Sequence, residues 1–140
     1  MSATPSPRLI LLHKQKTSGR VRFFCLSHGV LAFQPLPALS VLREEGYSPK
    51  IQIHPTALLR EAELHLGLAP DELEPEPEFS AWVDTPEGDV PVLLALFNSI
   101  DPPFAAAERL HGRFIALTET RSLSEVERQL LRRAYEQVLG

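Results

Sequence analysis

The sequence predicts an α+β fold: an antiparallel-rich sheet of two hairpins with three to four helices packed on it. Three observations point there. Short β-branched and aromatic runs are separated by Gly/Pro/Ser turn signals near both ends of the chain. Amphipathic stretches at helical spacing follow them. With 140 residues, 44 % hydrophobic and 23 % charged, the chain has ordinary globular composition and the length of one domain. We therefore expect a tail over residues 1–7 (MSATPSP) and one domain over residues 8–140.

The elements are justified in order. LILLH (9–13) and RVRFFCL (20–26) flank a Thr-Ser-Gly turn signal and read as a hairpin, with Val21, Phe23 and Cys25 on one face. Residues 30–34 add a third strand. Pro35 and Pro37 lead into an expected helix over residues 37–45, with Leu39 and Leu42 inward and Gly46 as the stop. KIQIH (50–54) alternates as a strand. Residues 55–66 form a helix with Leu58, Leu59, Ala62 and Leu66 inward, Arg60, Glu61 and Glu63 outward, and Gly67 behind. APDELEPEPE (69–78), with five acids and three prolines, reads as a solvated, stiff connector. Runs 79–84 and 90–98 flank TPEGD (85–89) and read as the second hairpin. Asp101 with Pro102 predicts a capped helix to about Leu110, and RFIALT (113–118) a strand. Ser122 with Glu125, and Ser124 with Glu127, are two overlapping capping boxes. They open a last helix whose stripe is Val126, Leu130, Leu131, Ala134 and Val138.

Several function classes are disfavoured at once. No run approaches the roughly 18 apolar residues of a membrane span, and the first residues lack a signal-peptide layout, so we expect a cytoplasmic protein with no membrane partner. One cysteine, Cys25, excludes an internal disulfide framework. Eleven Arg against three Lys fits a GC-rich, bacterial codon usage. The net charge of −4 hides a gradient. Residues 1–50 carry seven Lys/Arg and two acids; residues 51–101 carry one Arg and eleven acids. Such asymmetry marks either a partner surface or two parts of one fold attracting each other.

Chemistry-bearing patterns are sparse. Cys25 and His28 stand at C-x-x-H spacing with no second pair, so no metal site is expected. They are the candidate nucleophile and base, although the apolar neighbours of Cys25 argue for an inert thiol. No phosphate loop, dinucleotide fingerprint or serine elbow occurs. LREEG (42–46) matches only the end of a Nudix box, and the spaced glycine and glutamates upstream are missing. Lys14, Lys16, Arg20 and Arg22, beside Phe23 and Phe24, form a basic-aromatic cluster over residues 14–24 that suits nucleic acid; the acidic overall charge disfavours that partner. Trp82, Asp101 and Phe104 are expected to line a groove between sheet and helices, with Asp101 capping the helix.

The expected function is a non-catalytic binding or accessory protein that docks a protein partner or a small ligand in that groove, without a cofactor; a homo-oligomer is left open. The alternative is a small enzyme using Cys25 and His28, or another histidine, in a cleft. A further alternative is nucleic-acid binding through the basic hairpin.

Overall fold

In a computed structural model, described over residues 7–47, 49 and 54–139, the two most apolar runs of the sequence lie side by side at the centre of one sheet. These are β1 (Arg8–Lys14) and β7 (Gly88–Phe97). Between and after them come β2 (Val21–Cys25), β3 (Leu31–Ala32), β4 (Val41–Leu42), α1 (Pro55–Leu66), β5 (Leu73–Pro75), β6 (Ala81–Thr85), α2 (Phe104–Arg109), β8 (Arg113–Ile115) and α3 (Glu125–Leu139). Six of the sheet's eight strands run in the order β4-β6-β7-β1-β2-β8. β3 and β5 pair with the two central strands.

Most pairings are antiparallel, as the α+β class requires, but the sheet is more than two hairpins laid together. β1 and β7 pair parallel, Arg8 opposite Val92 through Leu12 opposite Leu96, which needs a long crossover between them. The other edge of β1 is shared: β3 takes Leu9 and Ile10, and β2 takes Leu12 to Lys14. β7 is treated alike, with β6 along its first half and β5 along its last three residues.

Side-chain alternation along these strands builds two cores. Ile10, Leu12, Phe23, Val92 and Leu94 face α3, which buries Val126, Leu130, Leu131 and Ala134 against them. Leu9, Leu11, Phe24, Ala95 and Phe97 face the opposite way, onto Leu59, Ala62 and Leu66 of α1 and Ala106 and Ala107 of α2. Helices therefore cover both faces, and continuous apolar runs such as LILL follow from burial on both sides. No helix among the described residues is long and apolar enough to cross a membrane.

The structure corrects several sequence expectations. Residues 37–45 are not a helix: Leu39 sits at φ 65° and is 87 % exposed, and the chain forms the two-residue strand β4 against Val83 and Asp84. Leu36 and Leu42 turn into the α3-side core instead. The acidic connector yields β5, placed where its Pro75 is tolerated because that strand forms an outer edge. Glu63 points inward and is 3 % exposed; its Oε2 accepts the Leu73 N–H at 3.1 Å, tying α1 to β5. α2 starts at Phe104 after Pro103, without a side-chain cap. Strand β8 stops at Ile115, and a short 3₁₀ turn, Leu117–Glu119, follows. At α3 the Ser124–Glu127 box forms, whereas Glu125 turns to Arg128 and Gln129. The expected strand at 50–54 lies, over residues 50–53, outside the described residues.

Candidate functional site

Cys25 is buried on the α3 face of β2, opposite Arg113 of β8. Its thiol is pushed up chiefly by burial, against the pull of Arg113, and Glu127 adds to the rise. His28 lies beyond it in a tight turn closed by Leu26 and Gly29, and its ring is exposed. Its Nε2 lies 2.7 Å from the Leu31 carbonyl oxygen. A carbonyl only accepts, so Nε2 carries the proton and Nδ1 of the neutral ring keeps its lone pair. His28 faces a cleft that Cys25 does not line.

The three aromatic and acidic groove residues fall apart. Trp82 is buried on β6, edge-on to Tyr47, towards one end of the sheet. Phe104 opens α2 and packs on Phe114 of β8, at the other end. Asp101 accepts a hydrogen bond from Gln15 at 3.2 Å rather than capping α2. The basic hairpin is also consumed by structure. Phe23 and Phe24 are buried on opposite faces and offer no base-stacking surface. Lys14 donates to the Val138 carbonyl at 2.9 Å, satisfying the end of α3, and Arg22 lies 5.9 Å over the Phe104 ring.

What the sequence did not reveal is a row of three hollows between the segment 35–46 and α3, together called the groove. At the start of α3 it is a cleft of about 310 Å³ lined by His28, residues 35–40 and residues 124–127. Further along it is a wider hollow of about 490 Å³ between Leu42, Arg43 and Glu44 on one wall and Gln129, Arg132 and Arg133 on the other. A third hollow of about 280 Å³ continues past Arg133 to Glu136, bounded by Glu45 and Phe79. The misread helix is the reason this was hidden: residues 35–46 run as an extended wall instead of a cylinder of their own.

Each wall is fixed. Glu127 holds the cleft end: one carboxylate oxygen accepts from Ser124, and Oε2 accepts the Val30 N–H at 2.8 Å. Arg43 is held by Asp89 through Nη2 at 3.1 Å and lies 4.7 Å over the Tyr47 ring. The Tyr47 hydroxyl donates to Asp89 Oδ2 at 2.6 Å. That hydrogen bond, with those from Arg43, holds the Asp89 carboxyl below its ordinary range, although partial desolvation opposes them. Asp89 in turn raises the Tyr47 phenol and the Arg43 guanidinium. Arg133 reaches across the groove to the Arg43 carbonyl at 2.7 Å, joining the two walls.

No protein-family model matches this chain, nor does a curated protein. Among solved structures, the crystal structure of C. elegans Ap4A hydrolase is similar over 100 % of both chains, with a TM-score of 0.56 and 15 % identity. The chain therefore shares the fold of that enzyme. That likeness, to an enzyme, overturns the expectation of a non-catalytic binding or accessory module.

Proposed function

We propose that this chain is a small hydrolase that cleaves a phosphoanhydride bond of a nucleotide, with its substrate lying in the groove along α3. The observation that carries this reading is the end-to-end fold likeness to a hydrolase named for a dinucleotide polyphosphate. Fold alone does not choose chemistry, so the groove must supply it. His28 stands at the cleft end with Nδ1 able to accept a proton, and guanidinium groups stand further along. In this scheme a water oxygen attacks phosphorus and passes its proton to His28 Nδ1. The bridging P–O bond breaks, and its electron pair leaves with the departing phosphate.

Such reactions gain from a divalent cation. Among the described residues no group of three or more His, Cys, Asp or Glu side chains converges to hold one, so no step is routed through a protein-held metal. Cys25 takes no part, since it is buried away from the cleft.

The test is product analysis after incubating the protein with Ap4A and with ATP in the presence of magnesium. Turnover is expected, and His28→Gln should lower it by roughly 10²–10⁴, the usual worth of a general base, with an unchanged circular dichroism spectrum. Absence of turnover on both nucleotides, or full turnover in the variant, would overturn the reading.

A further inference from the structure

Three arginines line one hollow. Arg43 stands on one wall, with Arg132 and Arg133 on the other. Two are held in place and already face carboxylates: Arg43 pairs with Asp89 at 3.1 Å and Asp84 at 3.6 Å, and Arg133 donates to the Arg43 carbonyl at 2.7 Å and lies 3.9 Å from Glu45. Arg132 is exposed and has no hydrogen-bond or ion-pair partner among the described residues. Glu44 is the one carboxylate among the lining residues. Arg132 is thus the guanidinium of the three that has no carboxylate partner among the described residues, and a guanidinium fork matches a phosphate's oxygens.

We propose that Arg132, backed by Arg43 and Arg133, forms an anion subsite that takes a phosphate remote from the bond being cleaved. The cleft meets α3 at residues 124–127 and the hollow meets it at 129–133, an offset of about 8 Å at 1.5 Å per residue. A single phosphate does not span that distance, whereas a chain of several does. The subsite thus selects longer polyphosphates. That last step rests on the hydrolase reading; the anion site itself does not.

The experiment has two arms. In the first, metal-free binding of tripolyphosphate and of inorganic phosphate is measured by calorimetry on the wild type, Arg132→Ala and Arg121→Ala, the last removing an exposed arginine that does not line the groove. Tripolyphosphate should bind more tightly than phosphate, and only Arg132→Ala should weaken it, by roughly tenfold or more, the loss of a charge-assisted fork. Equal weakening by both variants, or no binding by the wild type, would overturn the subsite. In the second arm, turnover of Ap4A is compared with that of ADP. Arg132→Ala should raise KM for Ap4A and leave ADP unaffected. Tripolyphosphate binding that depends on Arg132 without turnover of any nucleotide would sink the hydrolase reading and keep the subsite; turnover indifferent to Arg132 would do the reverse.

Discussion

Cys25 and Gly29, four residues apart, show how far single residues could be read from sequence. The alternation of Val21, Phe23 and Cys25 placed the thiol on an inward face, and it is buried there. The charges acting on it were not legible, because Arg113 and Glu127 arrive from β8 and α3. Burial dominates, so the thiol is neutral at neutral pH. Cys25 should label slowly with a disulfide reagent in the native protein and rapidly in denaturant, and Cys25→Ala should keep nucleotide turnover; fast native labelling would contradict the buried placement. Gly29 sits at φ 135°, and a Cβ there would run into the Glu127 carboxylate. Gly29→Ala forces either backbone strain or loss of the Glu127–Val30 hydrogen bond. It should destabilise by roughly 1–3 kcal/mol in urea melts. Nothing in the sequence tied Gly29 to Glu127, which lies 98 residues further on.

At the level of elements, legibility followed periodicity. α1 and α3 have long apolar stripes and clear stop or start residues, and both lie where the pattern puts them. Gly67 closes α1 in the left-handed conformation, at φ 69°. Where the pattern was short, local rules misled. Pro37 suits a first helical turn, but residues 37–45 offer only Leu39 and Leu42 as an apolar face, and the pairing of Val41 and Leu42 with β6 wins while Leu39 stays exposed. Asp101 likewise had the sequence of a cap, yet Gln15, from the turn after β1, draws its carboxylate away. For α3 the consequence is quantitative. Leu130 is wholly buried between helix and sheet, so Leu130→Ala should cost roughly 2–5 kcal/mol, the range for truncation in a core that cannot collapse. A denaturation midpoint equal to that of the wild type would show that α3 does not close the sheet's second face.

Across the whole molecule, the charge gradient of the sequence becomes a bond between distant parts of the chain. Arg43, from the basic first third, pairs with Asp89 at 3.1 Å and Asp84 at 3.6 Å, from the acidic middle. Tyr47 completes the cluster. The parallel pairing of β1 with β7 was not legible, because nothing local distinguishes a parallel from an antiparallel partner; it is the pairing of β4 with β6 that brings the β6–β7 turn to the wall of the groove. The cluster sets a pH dependence whose direction is fixed. Asp89 titrates lower folded than unfolded, so the unfolded chain takes up its proton first as pH falls. Its contribution is complete above the ordinary carboxylate value of about 3.9 and fades below it, as pH drops through the lower folded value. Tyr47 titrates higher folded than unfolded, so its contribution is complete below about 10 and fades as pH rises through the raised value. Urea midpoints should therefore fall at both extremes, with Asp89→Asn flattening the acid limb and the alkaline one together, since one carboxylate sets both shifts. A variant that flattens neither limb would mean that Arg43 and Tyr47 hold the groove wall without Asp89, and that the wall's position owes nothing to the chain's charge asymmetry.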